Sequence, residues 1–391
     1  MRIDTRLAER LKKVNPSSTL AITSKAKKLK SEGVDVVSFA AGEPDFDTPD
    51  FIKDAAIEAI KVGFTKYTPT TGIPELKSAI VEKFKNDNSL AYSPSQIVVS
   101  CGAKHSIFNS VFALINKGEE VLVPSPYWVS YPEMVRLAEG IPRFIPTLAE
   151  NNFKITLKDL EKYITAKTKI LILNSPSNPT GCVYTIEELK KIAKVCVEHK
   201  VFVISDEIYE KIIFDNLKHV SIAGLSKEIY DLTITVNGLS KSHSMTGWRI
   251  GYLAGPQDVI DAISKIQDHS TSNPTSIAQK AAVAALKAGD EFSKNMCREF
   301  QKRRDYAVQR LAGIKKLTYI KPEGAFYIFC GISKTKLTSS VFAGRLLDEM
   351  AVAVIPGDGF GRDDYMRISF ATSMDQLKKG LDKMEVWVNK L

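Results

Sequence analysis

The sequence is poor in cysteine, in histidine and in long apolar runs. Its 5 cysteines are scattered over 391 residues and none forms a C-x-x-C pair, which argues against a disulfide framework and a cysteine-rich zinc site. Its 5 histidines show no metal-ligand spacing, so no metal is expected. No run approaches the roughly 18 apolar residues of a membrane helix, and the charged opening MRIDTRLAER does not resemble a secretory signal. We therefore expect a cytoplasmic protein with reduced thiols and no membrane partner.

The surplus of positive charge is modest. The chain has 54 lysines and arginines against 45 aspartates and glutamates, a net charge of +9. The basic residues are dispersed among acidic ones and lack the interleaved aromatic residues of a nucleic-acid-binding surface. We therefore expect no nucleic-acid partner, and attraction for small anionic molecules is the expected consequence of the charge.

The middle of the chain alternates short apolar runs with longer amphipathic ones. A hydrophobic content of 44% supports a large core, and the length predicts two or three domains. The predicted strands are Ile97–Ser100, Val121–Pro124, Ile170–Asn174, Val201–Ser205, Thr233–Asn237 and Ile250–Ala254. The predicted helices are Ala103–Asn116, Ser130–Glu139, Ile186–His199 and Gln257–Asp268. This alternation predicts an α/β fold with a mostly parallel, doubly wound sheet.

The ends of the chain predict a smaller α+β domain. The helix pattern that opens at about Asp290 continues through Gln309. It is followed by predicted strands at Leu317–Lys321 and Ala325–Phe329 and by predicted helices at Ser339–Met350 and Met374–Asn389. We expect residues 1–45 to form an N-terminal arm and part of the small domain, 46–289 the large domain, and 290–391 the C-terminal small domain.

Polar residues follow several of the predicted strands, where parallel sheets bind ligands. Lys241 follows Thr233–Asn237 in a stretch rich in Ser, Thr and Gly, and Arg249 lies eight residues further on. Asp206 follows Val201–Ser205 directly. A lone lysine is usually a surface group, and an aspartate at a strand end can simply cap a helix. A buried carboxylate in this position would need a cationic partner, however, such as a protonated heterocyclic nitrogen.

Three further signals point to the same edge of the sheet. Asn178 lies in an Asn-Pro-Thr-Gly turn, and Trp128 follows the strand Val121–Pro124, where it is either core or a stacking platform. Ala103 and Lys104 open a helix behind Gly102, so their backbone N–H groups can bind an anion. The spacing is not G-x-G-x-x-G, so a single phosphate fits better than a dinucleotide. Pyridoxal phosphate requires such a set of groups: an amine, a carboxylate, hydroxyl and amide donors, a ring and a phosphate site.

The sequence resembles the class I aminotransferases among the fold-type I pyridoxal-phosphate enzymes, most closely the bacterial aspartate aminotransferases. The resemblance runs nearly end to end. Its motifs are AGEPDF from Ala41, KYTP from Lys66, PYWVSYP from Pro126, NPTG from Asn178, SDEIY from Ser205, Asn237 through Gly251, TSNPTS from Thr271, EGAFY from Glu323 and MRIS from Met366. The resemblance implies a large domain with a mostly parallel seven-stranded sheet between helices, and a smaller α+β domain.

The resemblance also implies roles around the cofactor. Lys241 matches the lysine that holds pyridoxal 5'-phosphate as an internal aldimine and then acts as the catalytic base. Asp206 matches the partner of the ring nitrogen, and Tyr209 and Asn178 match the donors to the ring oxygen O3′. Trp128 matches the residue that stacks on the ring.

Other matched positions concern the phosphate, the substrate and the partner subunit. Arg249 and the backbone N–H groups of Ala103 and Lys104 match the phosphate site. Tyr67 matches a tyrosine that reaches the phosphate in the neighbouring subunit, which implies a homodimer with shared active sites.

For the substrate, Arg367 matches the clamp for the α-carboxylate, aided by Gly42 and Asn178, with Trp128 and Lys104 also in the substrate site. The family has cis peptide bonds before the prolines that match Pro126 and Pro179, and we predict both.

The implied reaction converts L-aspartate and 2-oxoglutarate to oxaloacetate and L-glutamate by ping-pong kinetics. Lys104 either reaches the distal carboxylate or is a solvated helix lysine, and Ser17 and Thr19 are candidates for added hydrogen bonds. Some related enzymes also accept prephenate or aromatic acids, and Asn15 stands where some of them carry a lysine. The alternatives are a C–S lyase or an aminotransferase for another amino acid on the same fold, and a cofactor-free binding protein. A nicotinamide dehydrogenase would lack its glycine fingerprint.

Overall fold

A computed structural model of the chain describes residues 6–16 and 18–391. In this part of the chain the helices are α1 (Ser18–Ser31), α2 (Asp50–Lys61), α3 (Pro74–Asn88), α4 (Ala103–Leu114), α5 (Ser130–Leu137), α6 (Leu157–Tyr163), α7 (Ile186–Glu198), α8 (Lys227–Tyr230), α9 (Gln257–Asp268), α10 (Ser276–Lys287), α11 (Glu291–Ala312), α12 (Ser339–Met350) and α13 (Met374–Lys390). The strands are β1 (Val37–Ser38), β2 (Ile97–Ser100), β3 (Glu120–Ser125), β4 (Ile141–Pro146), β5 (Thr168–Asn174), β6 (Phe202–Asp206), β7 (Thr233–Gly238), β8 (Gly251–Ala254), β9 (Thr318–Tyr319), β10 (Tyr327–Gly331), β11 (Val352–Ala353), β12 (Ile355–Pro356) and β13 (Tyr365–Ser369).

Seven strands form one sheet in the order β2-β8-β7-β6-β5-β3-β4. All neighbouring pairs are parallel except the two that involve β8, which runs antiparallel to β2 and β7. Successive side chains enter opposite cores: Ile170 and Ile172 of β5 pack with α4, α5 and α9, whereas Leu171 and Leu173 pack with α6 and α7. Helices thus cover both faces, which explains why the strand sequences are almost wholly apolar. The predicted seven-stranded α/β architecture is confirmed.

The predicted elements of this sheet lie within two or three residues of those in the structure. β2 and α9 match their predicted bounds, and α4, α5 and α7 end one or two residues earlier than predicted. Strand β4 was missed because Ile141–Pro146 contains two prolines and a buried pattern that does not alternate cleanly. It is the edge strand beside β3, and an edge position tolerates prolines because half of its N–H groups need no partner in the sheet.

A second set of elements comes from both ends of the chain. β12, β13, β10 and β9 form an antiparallel sheet in that order, and β1 pairs in parallel with β11. Helices α11, α12 and α13 cover these strands, and α1 packs on β12 and α12. Helix α1 and strand β1 therefore contact the C-terminal elements directly, although the domain boundaries at 45 and 289 stay a prediction.

Local backbone features complete the comparison. The peptide bonds before Pro126 and Pro179 are cis, as predicted, and the bond before Pro176 is also cis, which was not predicted. Among the helices described, none is long and apolar enough to cross a membrane.

Candidate active site

A cavity of about 780 Å³ opens between the carboxyl ends of the central strands and the smaller antiparallel sheet. It brings together ten of the eleven residues that the resemblance assigns to the cofactor and the substrate. These are Gly42, Ala103, Lys104, Trp128, Asn178, Asp206, Tyr209, Lys241, Arg249 and Arg367. The rule that ligands bind beyond the carboxyl ends of parallel strands therefore locates this cavity.

Asp206 is the last residue of β6 and is buried. The hydroxyl of Tyr131 donates to its Oδ2 at 2.6 Å, and the N–H of Ile208 donates to Oδ1 at 3.3 Å. No lysine, arginine or histidine of the described chain lies within ion-pair distance of this carboxylate. Burial raises the pKa of Asp206 to about 6. The site thus holds a buried acid that a cationic ligand would stabilise.

Lys241 follows β7 by three residues and projects into the same cavity. Its Nζ donates to the carbonyl of Gly42 at 2.6 Å. Burial, together with the nearby cations Arg249 and Arg367, lowers the pKa of Lys241 to about 8, against the opposing effect of Glu43 and Asp206. A lysine of this kind is partly neutral near physiological pH, so its amine can act as a nucleophile and a base.

An anion site lies where α4 begins. The N–H groups of Ala103 and Lys104 form no backbone hydrogen bond in the described structure. The guanidinium of Arg249 is held beside them, donating to the carbonyls of Thr246 at 2.9 Å and Cys101 at 3.1 Å. Gly102 has φ +90°, and a Cβ there would collide with that guanidinium. Helix N–H groups and an arginine without an acidic partner together fit a phosphate.

Arg367 lies on β13, on the opposite wall, and only 4% of its surface is exposed. Its Nη1 donates to Oδ1 of Asn178 at 2.9 Å and its Nη2 to the carbonyl of Ala40 at 3.3 Å. Nε has no hydrogen-bond partner among the residues that the structure describes, and the guanidinium lies 4.2 Å from the ring centre of Tyr327. Burial lowers the pKa of Arg367. A buried cation without a carboxylate partner is costly, so this site is built to receive an anion.

Two contacts made by aromatic side chains shape the cavity between these charged groups. The hydroxyls of Tyr209 and Tyr327 lie 2.9 Å apart. The Lys104 Nζ lies 4.9 Å from the ring centre of Trp128, and the pKa of Lys104 is lowered by burial and by Arg249. Lys104 therefore faces the cavity.

Some residues singled out from the sequence are not brought to the cavity. Tyr67 is 92% exposed and does not line the cavity of its own chain. Ser17 lies outside the described residues, and so does the side chain of Thr19. His243, one of the five histidines, does not line the cavity either. It is buried and bonded through Nδ1 to the Ser242 hydroxyl at 2.8 Å, and burial lowers its pKa to about 4.

The sequence analysis missed three residues that contact the site. Tyr131 bonds Asp206, Tyr327 bonds Tyr209, and Glu43 lines the cavity near Lys241. Tyr131 lies three residues after Trp128, and the two rings pack edge to face with their centres 5.3 Å apart. Tyr327 ends the EGAFY motif. Both tyrosines therefore lie in sequence motifs that were noted. The strand-end rule, however, considers one strand at a time and does not predict which residue each tyrosine bonds.

Comparisons with known proteins agree with this geometry. Residues 34–384 match the family model described as aminotransferase class I and II. The chain is 49% identical to an aspartate aminotransferase of Bacillus sp. strain YM-2, covering 98% of this chain and 99% of that protein. It is 48% identical to a probable aspartate/prephenate aminotransferase of Aquifex aeolicus, covering 97% and 98% of the two chains. The crystal structure of an aspartate aminotransferase from Rhizobium meliloti superposes with a TM-score of 0.95 at 41% identity, covering 99% of this chain and 100% of that one.

The chain therefore belongs to the class I and II aminotransferases. It is a transaminase that depends on pyridoxal 5'-phosphate, as the members of this class do. The cavity fits that cofactor. Asp206 is a buried acid without a cation, and a protonated ring nitrogen would provide one. Lys241 offers the amine, and Arg249 with the start of α4 offers the phosphate site.

The buried acid makes a prediction for stability. Because burial raises the pKa of Asp206 from 3.8 to about 6, the folded chain keeps a proton between these values that the unfolded chain releases. The contribution of this group to the free energy of unfolding therefore falls as pH rises from about 4 to about 6, by about 3 kcal/mol in total. We expect cofactor-free Asp206→Asn to be more stable than cofactor-free wild type at about pH 7.5, as measured by urea unfolding.

The difference between the two proteins should shrink below about pH 4, where the wild-type carboxyl is protonated in both states. Saturating pyridoxal phosphate should reverse the order, because the wild type would bind it more tightly. If the difference in free energy of unfolding between the two proteins does not vary with pH, burial does not raise the pKa of the Asp206 carboxyl.

Proposed function

We propose that this chain transfers the amino group of L-aspartate to 2-oxoglutarate, forming oxaloacetate and L-glutamate. The observation that carries the proposal is the pair of cations facing one cavity, Arg367 from β13 and Lys104 from α4. A substrate with a carboxylate at each end is complementary to such a pair. The name of the Bacillus relative supports the same substrates.

Pyridoxal phosphate, when bound, supplies a conjugated cationic ring that accepts the electron pair left behind when an amino acid loses its α-proton. Asp206 would keep the ring nitrogen protonated by charge attraction and hydrogen bonding. The Tyr131 hydroxyl would orient the carboxylate, since it already donates to Oδ2 at 2.6 Å. Tyr209 and Asn178 would donate to the ring oxygen O3′, Trp128 would stack on the ring, and Arg249 with Ala103 and Lys104 would hold the phosphate.

Lys241 would hold the cofactor covalently and, once released by the substrate amine, move the proton. Its amine would take the proton from the substrate Cα and hold it until it is returned later in the reaction. The lowered pKa of about 8 matches this task, because a base is most effective when its pKa lies near the working pH. A second oxo acid reverses these steps, so the kinetics are ping-pong.

Arg367 would bind the α-carboxylate through two parallel hydrogen bonds. Its unpartnered Nε is one donor available for this, and Gly42 and Asn178 line the same wall. The grip fixes the rotation about the substrate Cα–N bond. By holding the α-carboxylate in place, it would favour loss of the α-proton over loss of carbon dioxide.

A panel of amino donors tested with 2-oxoglutarate examines the substrate proposal. L-Aspartate should have the highest kcat/KM. Lys104→Gln should lower kcat/KM for aspartate by about 10- to 100-fold, since a charge-assisted hydrogen bond contributes about 1.5–3 kcal/mol. The same variant should change kcat/KM for L-alanine far less. Lys117→Gln, an exposed lysine just beyond the other end of α4, is the matched control.

The panel also separates the alternatives. Oxo-acid release beyond one equivalent per active site without added 2-oxoglutarate would indicate a lyase, such as a C–S lyase. A better donor than aspartate would indicate an aminotransferase for another amino acid. An equal loss for aspartate and alanine in Lys104→Gln would place Lys104 at the phosphate only.

Prephenate is a second candidate amino acceptor. The Aquifex relative, whose name includes prephenate, supports it. Asn15, which stands where some such enzymes carry a lysine, donates from its backbone N–H to Oε2 of Glu133 at 2.9 Å. Adding prephenate or aromatic oxo acids to the acceptor panel tests this activity.

We further propose a homodimer in which each Tyr67 completes the phosphate site of the partner subunit. Tyr67 is fully available for this, since it is 92% exposed. Apolar side chains of α2 and the residue after it are exposed nearby in sequence, namely Phe51, Ile57, Ile60 and Val62. A cluster of this kind is typical of an interface. Sedimentation equilibrium tests the assembly.

The cysteines support a cytoplasmic location. All five are free thiols, and Cys182, Cys196 and Cys330 are buried. Unpaired cysteines persist in a reducing compartment.

A further inference from the structure

The first helix presents a polar stripe to the active-site cavity. Thr23, Lys27 and Lys30 are spaced four and three residues apart along α1, so they lie on one face, and all three line the cavity. The adjacent stripe of α1 is apolar: Ala26 is buried, and Ile22 and Leu29 pack against the same core cluster. This packing holds the two lysines at the outer part of the cavity.

The ammonium groups of Lys27 and Lys30 have no carboxylate within ion-pair distance in the described ranges 6–16 and 18–391. The other two lysines of the helix differ. Lys25 pairs with Asp348, and Lys28 lies 3.8 Å from Glu32. The two lysines of α1 that line the cavity therefore lack an ion-pair partner among the described residues, whereas Lys25 and Lys28 each have one.

The charges that line the cavity are unbalanced. Its cations are Lys27, Lys30, Lys104, Lys241, Arg249 and Arg367. Its anions are Glu43 and Asp206. A bound phosphate would neutralise charge near Arg249, and Arg367 would be neutralised by the α-carboxylate. Lys27 and Lys30 serve neither purpose, because they lie on a different helix at the outer part of the cavity.

We propose that Lys27 and Lys30 steer dicarboxylate substrates into the cavity and thereby favour them over uncharged amino acids. The inference rests on the proposed dicarboxylate function. Clefts lined with charge of one sign raise association rates of oppositely charged ligands, and the effect acts over about 8–10 Å at moderate salt. 2-Oxoglutarate is a dianion and aspartate an anion at neutral pH, whereas alanine has no net charge. The two lysines thus contribute to specificity through the rate of arrival.

The test compares two double variants of the holoenzyme that remove the same charge from the same helix. Lys27→Gln with Lys30→Gln removes the unneutralised pair, and Lys25→Gln with Lys28→Gln is the control. Stopped-flow mixing gives the association rate constant of maleate, an unreactive dicarboxylate, and steady-state assays give kcat/KM for 2-oxoglutarate. We expect the first variant to lower both by about three- to tenfold at about 20 mM salt, and the control to change them less than about twofold.

The dependence on salt separates steering from direct contact. The deficit of the Lys27 and Lys30 variant should disappear at about 0.5 M salt, where charges are screened over a few ångströms. The rate of the half-reaction with alanine, and the maleate dissociation rate constant, should be nearly unchanged. A deficit that persists at high salt, or equal deficits in both double variants, would overturn the inference.

The activity of the wild type distinguishes a failure of the proposed function from a failure of the steering proposal. A wild-type enzyme without activity on dicarboxylates overturns the proposed function and this inference with it. An active wild type whose maleate association rate does not depend on Lys27 and Lys30 overturns only the steering.

Discussion

Replacing Lys241 with alanine should lower turnover with aspartate and 2-oxoglutarate by about 10⁴-fold. Removal of a positioned general base costs about 10²–10⁴ in rate, and here the same amine would also anchor the cofactor. The amine is positioned for both, since it projects from the loop after β7 and donates to the Gly42 carbonyl at 2.6 Å. Single-turnover absorbance measurements with aspartate would locate the loss in the proton-transfer step.

Two further variants sharpen this result. Lys241→Arg keeps the positive charge but lacks a titratable amine, and it should be as inactive as the alanine variant. Lys218→Ala, in a loop before β7, is a control with no assigned role. Small primary amines added to Lys241→Ala should restore part of the rate, because they can enter the space left by the side chain. Activity of Lys241→Ala near that of the wild type would refute the assignment of the base.

Arg367→Lys should raise KM for aspartate and for 2-oxoglutarate by about 10- to 100-fold. The planar guanidinium can donate two parallel hydrogen bonds to a carboxylate, whereas an ammonium is a point charge. Losing one charge-assisted bond costs about 1.5–3 kcal/mol, and about 1.4 kcal/mol corresponds to a factor of ten. Steady-state kinetics over a range of both substrates measures the change.

The variant also tests the orienting role of the clamp. If Arg367 fixes the direction of the Cα–H bond, Arg367→Lys should lower kcat as well as raise KM. Arg345→Lys is a suitable control, because Arg345 is an exposed residue of α12 that pairs with Glu349 at 2.7 Å. An unchanged KM would remove Arg367 from the substrate site.

Much of the fold could be predicted because the central strands carry a local signal. The core of β5, Ile-Leu-Ile-Leu, is apolar on both faces since helices cover both sides of the sheet, and such runs are read directly from the sequence. Strand β4, at one edge of the sheet, is partly exposed and contains two prolines, so the signal fails there. Strand β2 lies at the other edge but is wholly buried, and its apolar run predicts it correctly. The β9 strand is shorter than predicted, only Thr318–Tyr319, because its pairing with β10 ends after two residues.

The site also contains residues that local sequence predicts and residues that it does not. Asp206, Lys241 and the start of α4 each lie at the end of a strand or within three residues of it, so the strand-end rule locates them from the sequence. Arg367 lies on a different sheet, paired with Phe329 and Ile355, and only the family resemblance identified it. The contact of Tyr131 with Asp206 joins residues 75 positions apart, and such a contact depends on how α5 packs on the sheet, which no local pattern specifies.

The pairing of β1 with β11 has a consequence for biosynthesis. Val37 lies beside Val352, about 315 residues later in the chain. A ribosome adds roughly 5–20 residues per second, so the emerging segment around Val37 waits on the order of 15–60 s before its neighbour is translated. During that interval the apolar residues Val37 and Phe39, which are wholly buried in the finished protein, have no native cover. This makes the beginning of the nascent polypeptide a natural point of engagement for chaperones.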